Sequence, residues 1–179
     1  MIKMVAFDFD GTIADTIPMC IEVFRKAISP YAGHKLTDHE ILQTFGLNEI
    51  GMIKAVVKDN WKSALEDFYF HYEEIHKNCT EPFSEISDLI MYLKDKNVIV
   101  PLITGKGQKS CYISLKKLDM ENYFSDIMVG DETRPNKEES ILKLLEKYSI
   151  KKEEFYYVGD ALSDVTACRE AKVTCLSAA

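Results

Sequence analysis

Residues 5–16 read VAFDFDGTIADT, and the way this stretch is built decides the fold. Val5, Ala6, Phe7 and Phe9 have the character of a buried strand, yet Asp8 and Asp10 interrupt them and Gly11-Thr12 ends the run. Strand alternation puts the two carboxylates toward one side and Phe7 and Phe9 toward the other. A partly buried carboxylate without a partner is costly or shifts its pKa, and two side by side repel, so a cation is expected between them. Gly11 lets the backbone approach a ligand closely, and the N–H groups of such a turn, Thr12 included, can bind an anion.

Outward from this strand, three further apolar runs end in Gly, Asp or Thr: NVIVPLIT (97–104), FSDIMVG (124–130) and FYYVGD (155–160). VTCLSA (173–178) reads as one more. Between and after them lie stretches of helical spacing at 82–97, 108–119, 137–149 and 162–172. Strand alternating with helix predicts a parallel sheet covered on both faces. Residues 16–82 break this rhythm with four helical stretches, at 17–29, 38–45, 49–58 and 61–77, and no strand. The expected architecture is an α/β Rossmann-like core of 1–15 and 83–179 with an all-helical insertion of 16–82 after the first strand.

Composition bounds the function. A chain of 179 residues, 46% of them hydrophobic, can bury one sizeable core. The formal charge of −7 argues against nucleic acid or an anionic membrane as a partner, since both need a basic surface. Five scattered cysteines without a CxxC pair read as reduced thiols, which suits the cytoplasm. The N-terminal apolar stretch is too short and too charged for a signal peptide or a membrane span. A monomer is the simplest expectation.

Two other places carry chemistry. VGDALSD (158–164) ends a strand and brings Asp160 and Asp164 together; with the first pair they suit a divalent metal held by hard oxygens, magnesium above all. Thr104, followed by Gly105, offers a hydroxyl and N–H groups at a strand end, where a phosphate oxygen can sit. TGKGQKS (104–110) imitates a nucleotide-binding loop, but Gln108 stands where that motif needs Gly before Lys-Ser. Singly, these features read plainly as turns and a helix cap. Together they fall at the carboxyl ends of parallel strands, where open sheets bind ligands.

DFDGTIADT (8–16), LITG (102–105), a lysine before a helix, and VGDALSD in this order resemble the four motifs of the haloacid dehalogenase superfamily, and the helical insertion resembles the cap of its phosphoglycolate-phosphatase-like branch. The resemblance covers nearly the whole chain. It implies hydrolysis of a small phosphorylated metabolite through an aspartyl-phosphate, with Asp8 as nucleophile, Asp10 as general acid and base, and Thr104 on the transferred phosphoryl group. Magnesium would be held by Asp8, the Asp10 carbonyl and Asp160, with Asp164 in support. A phosphosugar mutase and an idle binding scaffold remain as alternatives; a phosphate-accepting receiver lacks the helical insertion. Presence of Asp10 argues against dehalogenases, and the cap has a single arginine, Arg25, where mutases tend to carry several.

The third motif departs from the family pattern. RPNKEES (134–140) offers both Arg134 and Lys137 as its cation. Pro135 biases Arg134 toward an extended conformation, so Asn136 is the expected N-cap, Glu139 completes an approximate capping box, and Lys137 is the expected cation. The chain also stops soon after VTCLSA, as a short member or a truncated one would. Specificity is expected from the turn FGLNEIG (45–51) and from whichever of Arg25, His34 and Lys54 face the cleft, while the aromatic run from Trp61 to Tyr72 reads as helix packing.

Overall fold

The computed structural model describes residues 1–178. Five strands, β1 (Met4–Phe7), β2 (Leu102–Ile103), β3 (Ile127–Met128), β4 (Phe155–Gly159) and β5 (Thr174–Ser177), form a sheet in the order β3-β2-β1-β4-β5. Every pairing is parallel. The helices in chain order are α1 (Ile17–Ala32), α2 (Asp38–Leu42), α3 (Glu49–Val56), α4 (Trp61–Ile75), α5 (Ile86–Asp95), α6 (Gln108–Lys117), α7 (Lys137–Tyr148) and α8 (Leu162–Ala171).

β1 is buried along its whole length because it lies at the centre of the sheet with helices on both faces. Met4 and Ala6 pack with Ile141 and Leu144 of α7 and Cys168 of α8. Val5, Phe7 and Phe9 turn the other way, onto Ile90 of α5 and Cys111 and Leu115 of α6. This alternation is the one read from VAFDFD, and it continues past the last paired residue. β2 is shorter than its apolar run suggests. Pro101 has no N–H to give to the ladder, so only Leu102 and Ile103 pair as a strand, while Ile99 makes an isolated bridge to Met4.

From β1 the sheet grows first through β2 and β3 on one side, then through β4 and β5 on the other. The direction of growth reverses between β1 and β4, and the carboxyl ends of these two strands flank the crevice this creates. Phe7 pairs with Val158, so Asp8 leaves the sheet beside Gly159, the last residue of β4.

Helices α1–α4 form an all-helical insertion with their own core, in which Phe24 and Ile28 of α1 meet Ile53 of α3 and Phe68 and Tyr72 of α4. Gly51 of α3 lies so close to the loop after β3 that a Cβ there would stand 2.2 Å from the Glu132 carbonyl oxygen. The insertion therefore rests directly on the carboxyl edge of the sheet, above the crevice.

Candidate active site

Asp8 is the first residue beyond β1 and is 5% exposed. One carboxylate oxygen accepts the Phe9 N–H at 2.7 Å and the other accepts Lys137 Nζ at 2.7 Å. Burial raises the Asp8 carboxyl above its ordinary range, Lys137 opposes this, and Asp164 adds to it. Lys137 opens α7 and also reaches Asp164, at 2.6 Å. Burial alone would lower the Lys137 ammonium, but the charges of Asp8 and Asp164 outweigh it and hold the group above the usual lysine range. Asp164 is fully buried at the start of α8, where it also accepts the Tyr157 hydroxyl at 3.0 Å and the Ala161 N–H at 3.0 Å.

Asp160 follows β4 and is more open; burial is the main cause that raises its carboxyl. Its side chain lies over Gly11, whose φ is +74°, and a Cβ at Gly11 would stand 2.2 Å from an Asp160 oxygen. Glycine is required there for both conformation and room. Oxygens of Asp8, Asp160 and Asp164 lie within 4.8 Å of one another, a hard-oxygen set that suits a small divalent cation.

The cation expected between the two acids of VAFDFD is replaced by two lysines, one for each. Lys106, in the loop after β2, stands 2.9 Å from Asp10. It is buried, and its other two protons point to the Tyr72 hydroxyl at 2.7 Å and Cys20 Sγ at 3.5 Å, so a donor with three protons meets three acceptors. Burial pulls the Lys106 ammonium down; Asp10, Cys20 and Tyr72 overcome this and hold it well above the usual range. The same burial pushes the Cys20 thiol up to about 12. Thr16 and Lys106 both meet Oδ1 of Asp10, and among the described residues Oδ2 has no polar partner.

The hydrogen bonds run onward from Lys106: the Tyr72 hydroxyl meets the Ser114 hydroxyl at 2.7 Å, and Ser114 meets Nε2 of fully buried His76 at 2.9 Å. Tyr72 thus packs in the helical core, as the aromatic run suggests, while its hydroxyl belongs to the site.

The anion-binding turns are more occupied than the sequence suggests. The Gly11 N–H donates to the Ala14 carbonyl and the Thr12 N–H to that of Phe9. The Thr12 hydroxyl points weakly at Asp160, at 3.5 Å. Thr104 is buried at the end of β2; its oxygen accepts the Lys106 N–H at 3.1 Å, which leaves its hydroxyl proton free. Gly105 lines the cavity described below, but the Gly107 N–H is taken by Glu49 at 2.7 Å. Arg134 lies exposed against Glu139, away from the acids. That pairing also undoes the expected capping box, because Glu139 faces Arg134 and Asn136 spends its side-chain amide on the Val129 carbonyl.

A cavity of about 310 Å³ separates the acids from the helical insertion. None of Arg25, His34 and Lys54 lines it: Arg25 pairs with Asp38, His34 with Glu40, and Lys54 with Glu132. Lys106, Tyr72 and Glu49 do line it; Glu49 belongs, with Phe45, Gly46 and Leu47, to the turn 45–51 from which specificity is expected, whereas in sequence Lys106 reads as part of a false nucleotide-binding loop and Tyr72 as helix packing. Glu49 is 4% exposed on the first turn of α3 and holds Tyr69, Gly107 and Ser110.

Comparison with known proteins fits this geometry. A family model described as haloacid dehalogenase-like hydrolase matches residues 5–178. The chain is 26% identical over 181 residues to the phosphorylated carbohydrates phosphatase of Thermotoga maritima, covering 96% of this chain and 82% of that one. It is 27% identical over 183 residues to the phosphoglycolate phosphatase of Chromobacterium violaceum, covering 95% and 82%. Among solved structures, CbbY from Rhodobacter sphaeroides in complex with phosphate superposes with a TM-score of 0.82 at 16% identity, over 99% of this chain and 86% of that one, and so shares the fold.

Proposed function

The chain belongs to the haloacid dehalogenase-like hydrolases, and we propose that it is a magnesium-dependent phosphatase acting on a small phosphomonoester through an aspartyl-phosphate at Asp8. The observation that carries this reading is the pair of acids at the tip of β1: Asp8 clamped by Lys137, and Asp10 two residues on, with Oδ2 unengaged. Both Asp8 and Asp10 line the cavity.

Asp8, Asp160 and the Asp10 carbonyl would hold magnesium, with Asp164 fixing Lys137 beside them. When bound, the ion would offset the repulsion between the Asp8 carboxylate and the phosphoryl oxygens. Asp8 then attacks phosphorus, the P–O bond to the alcohol breaks, and Oδ2 of Asp10 supplies the proton that the leaving oxygen needs. In the second half Asp10 takes a proton from water, the water oxygen attacks the same phosphorus, and the Asp8–phosphorus bond breaks to release phosphate and restore the carboxylate. Lys137 neutralises Asp8 at both ends of this cycle, and the free hydroxyl proton of Thr104 is available to a phosphoryl oxygen. Lys106 keeps Asp10 Oδ1 occupied, so proton transfer falls to Oδ2.

A mutase has to grip a second phosphate, and the two lysines that line the cavity are both already paired with acids. The five free thiols suit a reducing compartment such as the cytoplasm. No helix among the described residues is long and apolar enough to cross a membrane.

The test is hydrolysis of an aryl phosphate by the purified chain. Chelation should abolish turnover, magnesium should restore it, and calcium should not, because its looser coordination misplaces the attacking oxygen. Asp8→Asn should lose on the order of 10³-fold or more in kcat. Parent-like hydrolysis by Asp8→Asn, or turnover that survives chelation, would falsify the mechanism.

A further inference from the structure

The wall of the cavity opposite the acids belongs to the helical insertion and is made of Ile17, Phe24, Phe45, Leu47, Met52 and Phe68. A leaving group attached to a phosphoryl group at Asp8 has to lie against these side chains, because they and the acids enclose the same space. Its chemistry can be read from what they offer.

They offer no positive charge. The cavity is lined by four carboxylates, Asp8, Asp10, Asp160 and Glu49, against two lysines. Lys137 is 2.7 Å from Asp8 and Lys106 is 2.9 Å from Asp10, so neither is free for a second anion. The start of α3 is closed as well, because its Ile50 and Gly51 N–H groups both donate to the Asn48 side chain. Free hydroxyl partners are few. Ser110 donates to Glu49 and Tyr72 is used by Lys106 and Ser114, which leaves the Ser163 hydroxyl at the start of α8.

Glu49 adds a negative charge to this wall. Tyr69 at 2.7 Å, the Gly107 N–H at 2.7 Å and Ser110 at 3.1 Å converge on its carboxylate, and among the described residues no lysine, arginine or histidine pairs with it. A Cβ at Gly107 would stand 2.6 Å from a Glu49 oxygen, so the loop after β2 is built to let this carboxylate in. A second carboxylate or phosphate on the substrate would be desolvated beside a like charge with no cation to compensate it. A sugar would bring several hydroxyls to a surface with few free partners.

We propose that the substrate is the monophosphate of a small, uncharged, carbon-rich alcohol, alkyl or aryl, and that Glu49 is the residue that turns anionic leaving groups away. The inference rests on the phosphatase reading and narrows its substrate class. It separates this chain from the substrates in the names of its relatives, a phosphorylated carbohydrate and phosphoglycolate, since the first is rich in hydroxyls and the second leaves as a carboxylate.

The experiment compares kcat/KM of the full chain with magnesium for benzyl phosphate, hexyl phosphate, phosphoglycolate, pyrophosphate and glucose 6-phosphate. Benzyl or hexyl phosphate should lead each of the other three by about 100-fold or more, with most of the difference in KM. Glu49→Gln keeps the shape and removes the charge, and it should shrink the ratio of benzyl phosphate to phosphoglycolate by about tenfold, again through KM. If that variant fails to fold, competitive inhibition of the parent by benzyl alcohol and by glycolate supplies the second measurement, and benzyl alcohol should bind the more tightly. Should phosphoglycolate, pyrophosphate or glucose 6-phosphate lead, or should glycolate be the better inhibitor, the substrate class is overturned while the phosphatase reading stands. Turnover of none of the five by the folded chain overturns both.

Discussion

Lys137 and Lys106 are both buried, each neutralises one acid of the same strand tip, and they differ in where their remaining partners come from. Lys137 takes Asp8 and Asp164, which belong to the ends of β1 and the start of α8, and lies 5.9 Å from the ring centre of Tyr157 on β4. Its charged partners both belong to the sheet ends and the helices that cover the sheet. Lys106 takes Asp10 from the sheet, but Tyr72 from α4 and Cys20 from α1. Its surroundings are complete only while the helical insertion rests on the sheet edge. The nucleophile's charge is thus set within the α/β core, and the charge at the acid–base residue depends on the contact between the two parts.

The comparison is sharpest in kinetics. Lys137→Ala should lose on the order of 10²-fold in kcat/KM for an aryl phosphate, about 2.7 kcal/mol of transition-state stabilisation, while Arg134→Ala should lose less than about tenfold. The reverse ranking would move the neutralising cation out of the core and break the contrast. Next in size, Lys106→Met keeps length without charge and should cost about tenfold, about 1.4 kcal/mol. That loss should be larger for alkyl phosphates than for an activated aryl ester, because poor leaving groups need the Asp10 proton most. Asp10→Asn should show the same dependence more strongly. Equal losses on both esters would mean that Lys106 and Asp10 only shape the site.

Tyr72→Phe removes the hydroxyl that joins α4 to Lys106 and Ser114, and it should lower stability by about 1 kcal/mol in denaturant titration. A parent-like midpoint would show that the insertion is held by its apolar contacts alone. The smallest effect comes from His76, at the far end of the same chain of hydrogen bonds. Burial lowers its pKa from the ordinary 6.5, and Lys106 and Lys117 add to this. The folded state therefore favours neutral His76 and the unfolded chain binds the extra proton first. This contribution is present above about pH 6.5 and is lost as the pH falls through the lowered value. Thermal unfolding between pH 7.5 and 5.5 should show the parent losing more stability than His76→Gln, by about 1 kcal/mol or less. Equal slopes would remove His76 from the account.

Local chemistry carries the part of this protein that is legible in its sequence. Alternation around Asp8, the apolar runs ending in Gly, Asp or Thr, and the four strand-free helical stretches of residues 16–82 specify the α/β sheet and its insertion, because each rests on neighbours two to four residues away. Pro135 sets the start of α7, and with it the position of Lys137, by the same short-range sterics. Tertiary structure decided the rest. Lys106 looks in sequence like one residue of a failed nucleotide loop; its partners Tyr72 and Cys20 lie 34 and 86 positions away, and no local pattern encodes that meeting. Glu49 reads as an ordinary first-turn acid until the loop after β2, 58 positions on, folds around its carboxylate. Asn136 and Glu139 match a capping box, yet competing partners, the Val129 carbonyl and Arg134, take both side chains. Short-range sterics and periodicity chose the frame; which charge meets which depends on the docking of the insertion onto the sheet edge, a contact between residues far apart in the chain.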